Sequence, residues 1–269
     1  MLQSVAPLAF CGFLVLHLGI SYPLAPIATT AANSAVNMVN ETSDHSAEIV
    51  RPFPANGSTT SIDNNVYMTQ SADRSWSLNS FDADTLRFEV RSGDRWVSSD
   101  WADPVGVERT EIAGQKLYPP GTQIDIVYDF MVEPGPRNSA SGPGHFLVVG
   151  QMHEYNVNKS PPFAVEMVSG DHMAIDIGTG IPVYLYVDPA PIQRGRYYSM
   201  KVQVKFDNNR NGALRVWRDG VQIVDHHGSI GTGAETYWKQ GIYRSSAPET
   251  IAVRFRGLKI TAATMSVPR

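Results

Sequence analysis

Strand-like alternation of apolar and polar residues, broken by clusters of turn formers, dominates the second half of this chain. Residues 201–206 alternate strictly, which indicates a half-buried strand. Two apolar runs then flank Asp219-Gly220, a dipeptide typical of tight β-hairpins. Residues 86–91 alternate in the same way and are predicted to form the first long strand. With no strong amphipathic helix pattern in this half, we predict a single all-β, antiparallel, two-sheet domain.

The N-terminal region has a different composition. The first 40 residues contain no Asp, Glu, Lys or Arg, and residues 5–20 are mostly apolar. This run is too short for a comfortable membrane span, and small residues follow it. We therefore predict a signal peptide over residues 1–31, with an uncleaved N-terminal anchor as the alternative. Residues 32–65 are predicted to be a flexible linker and residues 66–269 the folded domain, in a secreted or periplasmic protein.

Charge and cysteine usage narrow the classes of function. The net charge is −4, which argues against nucleic acid as a partner. The single cysteine, Cys11, lies in the N-terminal apolar run, so no disulfide framework or thiolate chemistry is expected in the folded domain. No zinc-binding motif is present. A structural calcium ion at Asp82 and Asp84 is left open, because two carboxylates do not identify a site. We expect a monomer with no stable membrane span.

A segment near the C-terminus concentrates chemically useful side chains. It reads Tyr237-Trp238-Lys239-Gln240-Gly241-Ile242-Tyr243-Arg244. In a strand, Tyr237, Lys239 and Tyr243 point to one face. A lysine with two phenols on one face suits an anionic ligand and a proton-transfer step. The alternative is a half-buried aromatic strand with a solvated lysine.

Two upstream motifs also place residues i and i+2 on one face of a strand. Glu108-Arg109-Thr110-Glu111 places Arg109 and Glu111 on one face of a strand, and Gln151-Met152-His153 does the same for Gln151 and His153. Each motif is weak when taken singly. In this order, the three motifs resemble the site of the jelly-roll polysaccharide lyases. Alginate lyases of that fold carry R-T-E, Q-I-H and Y-F-K-A-G-x-Y strands, and heparin lyase I and fungal glucuronan lyase share this plan.

The resemblance covers residues 85–260 and is strongest, through the WRDGVQIV hairpin and the YWKQGIYR ending, to the heparin-lyase-I-like and glucuronan-lyase-like families. It implies an antiparallel two-sheet β-jelly roll, also described as a concanavalin A-like sandwich. It also implies β-elimination on an anionic, uronic-acid-containing polysaccharide, with glucuronan-like polymers preferred and no cofactor required.

Such a reaction needs a carboxylate neutraliser, a base and an acid. Arg109 and Gln151 offer donors for the carboxylate. His153 is either the base, as an iduronate or guluronate would require, or an imidazolium that assists carboxylate neutralisation, which is the role expected on a glucuronate. Tyr243 is assigned as acid and, on a glucuronate, as base, with Lys239 lowering its pKa. The predicted catalytic residues are Tyr243, His153, Gln151 and Arg109, and the predicted substrate-binding residues are Lys239, Glu111, Tyr237 and Arg244.

Two other functions are carried as alternatives. A glycoside hydrolase on a similar sandwich needs two carboxylates about 5–10 Å apart. Glu108 and Glu111 are three residues apart and would face opposite sides of a strand. A non-catalytic carbohydrate-binding module shares the fold, since sites rather than folds carry function. Such a module has no need of the combined set of acid, base and cation.

Overall fold

A computed structural model describes residues 51–52, 59–80, 82, 84–140, 145–168 and 170–263 of the chain. Every regular element in this part of the chain is a β-strand. No helix in it is long and apolar enough to cross a membrane. The predicted signal peptide or anchor, residues 1–31, lies outside the described residues.

The described strands form two sheets. They are β1 (Arg51–Pro52), β2 (Thr59–Ile62), β3 (Asn65–Ser71), β4 (Leu78–Ser80), β5 (Thr85–Val90), β6 (Val107–Gly114), β7 (Gln123–Val132), β8 (Leu147–Glu154), β9 (Phe163–Val168), β10 (His172–Asp176), β11 (Tyr184–Val187), β12 (Tyr198–Lys205), β13 (Asp207–Arg218), β14 (Val221–Ile230), β15 (Thr236–Ser245) and β16 (Ile251–Ala262).

We call the two sheets the back sheet and the site sheet. The back sheet has the order β1-β4-β5-β16-β7-β12-β13-β14, and the site sheet has the order β11-β10-β9-β8-β15-β6-β3-β2. Every strand pair in both sheets is antiparallel. The predicted all-β jelly-roll sandwich is therefore confirmed. Consecutive strands pair in both sheets, but β5–β16, β7–β16, β8–β15 and β6–β15 join distant parts of the chain.

An aromatic core joins the two sheets. Trp238 of β15 packs against Tyr128 of β7 with ring centroids 5.5 Å apart. Within the back sheet, Phe88 and Phe255 meet edge to face at 5.7 Å. These rings are buried, and large aromatic side chains dominate core energetics. Because side chains alternate along a strand, burying Trp238 turns its neighbours Tyr237 and Lys239 to the opposite face of the site sheet.

The N-terminal edge of the domain differs from the prediction. Residues 59–62, assigned to a flexible linker, form β2 and pair with β3 at the edge of the site sheet. Asp63 and Asn64 both have positive φ, 47° and 61°, as a two-residue type I′ hairpin requires. The same geometry occurs at Asp219 and Gly220, with φ of 50° and 77°, where a hairpin was predicted. The Ser- and Thr-rich composition hid the first hairpin, although Thr favours strands.

Candidate active site

Three adjacent strands bring the predicted side chains together. β15 lies between β6 and β8 in the site sheet. Tyr243 pairs with Arg109 of β6, and Lys239 pairs with Gln151 of β8. The outer face of these strands, which we call the site face, carries Arg109, Glu111, Gln151, His153, Tyr237, Lys239 and Tyr243. Seven of the eight predicted residues therefore share one face, although they span 135 positions of sequence (243 − 109 + 1).

Gly241 allows β15 to approach β6 closely. Its φ is 136°, and a Cβ atom at this position would lie 2.2 Å from the carbonyl oxygen of Thr110. The pairing of β15 with β8 also shifts register between Gln240 and Tyr243. Only a glycine fits this approach without moving the backbone. The local bend therefore sets the spacing between Lys239 and Tyr243 on the site face.

Glu111 is the buried centre of a charged cluster. Lys239 Nζ lies 2.7 Å and Arg109 Nη1 2.5 Å from its Oε2, while Gln151 Nε2 donates to its Oε1 at 2.6 Å. Burial would raise the pKa of Glu111, but the charges of Lys239 and Arg109 outweigh it and hold that pKa below its usual range. Glu111 was predicted to bind substrate. With both oxygens occupied and no exposed surface, it instead positions the donors around it.

Arg109 already binds a carboxylate of its own chain. Its Nε and Nη2 donate to the two oxygens of Asp103 at 2.8 and 2.9 Å. Its Cζ lies 3.8 Å from the ring centroid of Tyr243, which is a cation–π contact. The fork that was expected to hold a substrate carboxylate therefore holds Asp103, so a substrate-binding role of Arg109 stays a prediction. Asp103, in the loop before β6, was missed because no local pattern connects it to Arg109.

Tyr243 is half-buried on the site face, with the Phe146 ring 4.8 Å away. Burial raises its pKa, and the Arg109 charge only partly opposes that rise. The phenol is therefore protonated at neutral pH. Lys239 was expected to lower the pKa of Tyr243, but its Nζ lies 6.0 Å from the ring centroid, so Arg109 is the nearer cation. The spacing of Lys239 and Tyr243 in the sequence could not show that Arg109, from another strand, lies closer to the phenol.

His153 has a defined tautomer. Its Nδ1 lies 2.9 Å from the backbone oxygen of Glu154, and since a carbonyl only accepts, Nδ1 carries the proton. Burial and the Lys239 charge lower the pKa of His153, so the ring is neutral at neutral pH. In the neutral ring, Nε2 then bears the lone pair. Of the two predicted roles of His153, this arrangement suits the base better than assistance to carboxylate neutralisation, which favours a charged ring.

Lys239 and Tyr237 complete the site face. Burial and the Arg109 charge lower the pKa of Lys239 to about 8, and the Glu111 carboxylate limits that fall. Burial raises the pKa of Tyr237 to about 12, so this phenol stays protonated. Tyr237 lies beside His153, with ring centroids 5.7 Å apart. Lys239 is a buried cation that Glu111 holds in place, and Tyr237 is a neutral hydrogen-bonding group at the edge of the site.

The structure corrects the predicted role of Arg244. Its side chain lies on the inner side of β15 with no exposed surface, and its Nε donates to Glu108 Oε2 at 2.7 Å. Its Nη2 donates to the backbone oxygen of Glu249 at 2.7 Å. Arg244 is adjacent to Tyr243 in sequence, so strand alternation turns it away from the site face. It stabilises the fold rather than contacting a ligand.

The site face continues beyond the predicted residues. Val148 of β8 pairs with both Tyr243 and Glu166, which places Glu166 on the next strand, β9. Tyr184 Oη donates to Glu166 Oε2 at 3.0 Å. Burial and the nearby Asp176 raise the pKa of Glu166 to about 7. Glu166 was not predicted from the sequence. Its available signal was that it is the one acidic residue within the apolar run of β9.

The candidate calcium ligands have another local role. Asp82 Oδ1 accepts hydrogen bonds from the backbone N–H groups of Asp84 and Thr85 at 2.8 and 2.6 Å. This is a turn-capping arrangement. In the described ranges, no group of three or more His, Cys, Asp or Glu side chains is placed to hold a metal ion. Calcium binding at this turn stays a prediction.

The fold is similar to those of solved lyases. Endo-β-1,4-glucuronan lyase from the fungus Trichoderma reesei gives a TM-score of 0.52 at 9% identity, covering 79% of this chain and 94% of that one. Alginate lyase from Klebsiella pneumoniae gives 0.51 at 13% identity, covering 71% and 85%. A mutant of alginate lyase Aly36B with a bound alginate trisaccharide gives 0.51 at 13% identity, covering 80% and 98%. At these identities the likeness concerns the fold alone.

No curated protein matches the chain in sequence. The polysaccharide lyase family, in contrast, matches residues 37–258, which include every residue of the site face and both sheets apart from the last residues of β16. From this match and the jelly-roll fold we conclude that the chain belongs to the polysaccharide lyase family.

Proposed function

We propose that this polysaccharide lyase cleaves a uronic-acid polymer by β-elimination, with a glucuronan-like polymer preferred. The observation that carries the proposal is the convergence of a phenol, Tyr243, and an imidazole, His153, with the buried cations Arg109 and Lys239 on one face. Solved lyases of similar fold are named for glucuronan and alginate, which are both uronate polymers. A uronate provides the carboxylate that makes the adjacent C5 proton acidic.

The reaction divides into three tasks for these residues. The C5–H bond breaks when a base takes the proton, a C4=C5 double bond forms, and the C4–O4 bond breaks as an acid protonates O4. Arg109 and Lys239 favour a carboxylate at the site face by their charge, and Gln151 offers an amide. Because Asp103 occupies the Arg109 fork, a substrate carboxylate binds Arg109 directly only by exchanging with Asp103.

On a 1,4-linked glucuronate, C5–H and O4 lie on the same side of the ring. One group can then take the proton and deliver it to O4. Tyr243 is that group in the preferred mechanism, because the Arg109 guanidinium contacts its ring and stabilises the phenolate. His153 assists at the carboxylate in this mechanism only if substrate binding protonates its ring, because the neutral ring presents a lone pair at Nε2. This mechanism requires substrate binding to offset the raised pKa of the Tyr243 phenol.

The tautomer of His153 favours a second substrate class. In a guluronate or an iduronate, C5–H and O4 lie on opposite sides of the ring, so the base and the acid must be different groups. The Nε2 lone pair of His153 would take the proton, and the protonated Tyr243 would deliver one to O4. With His153 as the base and Tyr243 as the acid, each residue acts in the protonation state that it has at neutral pH.

A substrate panel with two variants tests the proposal. Wild-type protein should generate ultraviolet absorbance from the 4,5-unsaturated product on a uronate polymer, highest on glucuronan. Tyr243→Phe should lower kcat by about 10²–10⁴ with little change in substrate affinity, because it removes only the proton-carrying oxygen. If Tyr243 acts alone, His153→Gln should retain more activity than Tyr243→Phe. If His153 is the base, the two losses should be equal and a guluronate-containing polymer should be the better substrate.

The same assay separates the alternatives. A glycoside hydrolase would release reducing ends without ultraviolet absorbance, and a binding module would release neither. The hydrolase is disfavoured because both oxygens of Glu111, the acidic residue at the centre of the site face, are held by Lys239, Arg109 and Gln151. Near-normal turnover by Tyr243→Phe on the best substrate would refute the proposed mechanism.

We also propose that the enzyme acts outside the cytoplasm as a monomer. The uncharged, apolar N-terminal sequence supports export, and a polysaccharide substrate is met outside the cell. N-terminal sequencing of the protein recovered from culture medium or periplasm should give a mature chain that starts near residue 32. Recovery only with the membrane fraction, with Met1 retained, would favour the anchor instead.

A further inference from the structure

A groove of about 680 Å³ lies on the outer face of the back sheet, on a different sheet from the site face. Its lining includes Val127, Lys201, Trp217, Arg256 and Lys259. We propose that this groove is a second, non-catalytic binding site for an acidic polysaccharide. The class of ligand rests on the proposed function, whereas the groove itself does not.

The register of the back sheet forms the groove. Trp217 pairs with Lys201, Lys201 pairs with Val127, and Val127 pairs with Lys259. These side chains therefore form a straight row across β13, β12, β7 and β16. With strands about 4.8 Å apart, the row is about 14 Å long and its two lysines are about 10 Å apart. The row can thus contact several sugars of an extended chain.

The charge of the groove is opposite to that of the whole molecule. Lys201, Lys259 and Arg256 contribute +3 and Asp129 contributes −1, a sum of +2, whereas the whole chain has a net charge of −4. Asp129 accepts hydrogen bonds from Ser199 Oγ at 2.6 Å and Arg256 Nε at 3.0 Å, which occupies its oxygens. Neither lysine is paired with a carboxylate of the described residues, so both can bind an anion.

An aromatic ring and an apolar floor complete the groove. Trp217 is only partly buried, and Lys201 Nζ lies 5.0 Å from its ring centroid. Val127 is 37% exposed between the two lysines. The C–H face of a sugar ring packs on an aromatic face, and an adjacent ammonium would pair with the sugar's carboxylate. At the other end, Gly257, with φ of 63°, lies in the bulge between Arg256 and Lys259 and lines the groove.

A second site would change how the enzyme meets a long polymer. Binding at the back sheet raises the effective concentration of the same polymer at the site face. A short oligosaccharide cannot reach both faces of the sandwich. The groove should therefore lower KM for polymers and leave the cleavage of short substrates unchanged.

Kinetics on long and short substrates test this proposal. We expect the Lys201→Ala/Lys259→Ala double variant to raise KM for glucuronan and for sodium alginate by about threefold to tenfold, the effect of losing two exposed charge contacts. The expected kcat is unchanged, as is kcat/KM on a uronate tetrasaccharide. Trp217→Ala should act in the same direction. Lys205→Ala is the matched control, since it removes a lysine of the same strand and face that does not line the groove.

Binding provides a readout that is independent of catalysis. Affinity electrophoresis of the full-length protein in gels that contain alginate or glucuronan should show retardation that the double variant and Trp217→Ala lose and Lys205→Ala keeps. Dextran, a neutral polymer, should give none. If the wild type cleaves no uronate polymer but is still retarded through Trp217, the proposed function fails and the groove stands. Equal retardation and equal KM in wild type and variants would overturn the proposal that the groove binds a polysaccharide. Sedimentation that shows a wild-type dimer and monomeric variants would also overturn it, because the groove would then be a contact between two copies of the chain.

Discussion

At the scale of single residues, the charges of the site face compensate one another before any ligand arrives. Glu111 binds Lys239, Arg109 and Gln151, and Arg109 also binds Asp103. A buried cation without such partners would lose its charge, because burial penalises charged groups. The cluster therefore holds Lys239 and Arg109 in place at the cost of occupying part of their hydrogen-bonding capacity.

The folded structure raises the pKa of Glu166, and the effect of this shift on stability can be measured. Its pKa rises from 4.5 to about 7, so ionisation is less favourable in the folded state than in the unfolded chain. Below pH 4.5 the group is protonated in both states and imposes no penalty. Stability is lost as the pH rises through the folded pKa, by up to about 3 kcal/mol above pH 7.

Glu166→Gln should remove that loss. The variant should therefore unfold at a higher urea concentration than wild type near pH 8, and the difference should shrink towards pH 4, where Gln and protonated Glu are equivalent. Urea titrations across this range measure the effect. As a control, Asp225→Asn, at a largely exposed ion pair with Arg215, should change stability by less than about 1 kcal/mol at any pH. A constant difference between Glu166→Gln and wild type across pH would contradict the assignment.

At the scale of elements, β15 connects the core to the site face. Its inner side chains, Trp238 and Ile242, are buried, while Lys239 and Tyr243 face outward across the bend at Gly241. Gly241→Ala should destabilise the fold by about 1–3 kcal/mol or more, because the φ is strained for alanine and the new Cβ would clash with the Thr110 backbone.

Activity should fall with Gly241→Ala even where the variant remains folded, since moving β15 away from β6 separates Tyr243 from Arg109. Thermal unfolding followed by circular dichroism gives the stability, and the ultraviolet assay below the melting temperature gives the activity. Gly180→Ala is a matched control, because its Cβ would meet nothing within 4 Å. Normal stability and turnover in Gly241→Ala would show that the close approach is not required.

At the scale of the whole molecule, stability and the site depend on the same contact between sheets. Trp238 packs on Tyr128 of the back sheet, and a Cβ at Gly150 would lie 3.0 Å from its ring, so the indole is tightly packed against β8 as well. Trp238→Ala should cost about 3–5 kcal/mol through the cavity that it leaves. Guanidinium titration should show this loss, whereas Val221→Ala, which removes an exposed side chain, should have little effect. A loss below about 1 kcal/mol for Trp238→Ala would contradict this account of the core.

Local sequence patterns correctly predicted several of the strands and the turn at Asp219-Gly220. The alternation at residues 201–206 and the Asp219-Gly220 dipeptide correspond to β12 and to the β13–β14 hairpin, because strand periodicity and turn geometry depend on neighbouring residues. The order of the three motifs likewise identified the residues of the site face, since a strand with an i, i+2 pair presents both side chains together. The β2–β3 hairpin had its signal too, in Asp63-Asn64, but a polar composition masked it.

Contacts between distant segments were decided only by the tertiary structure. The Asp103 carboxylate in the Arg109 fork, the neutral tautomer of His153 and the replacement of Lys239 by Arg109 as the cation nearest Tyr243 all depend on distances across strands. The row of Trp217, Lys201, Val127 and Lys259 depends on the register of four strands. A sequence specifies which face each side chain takes within its own strand, but burial and charge at that face come from strands that lie far away in the chain.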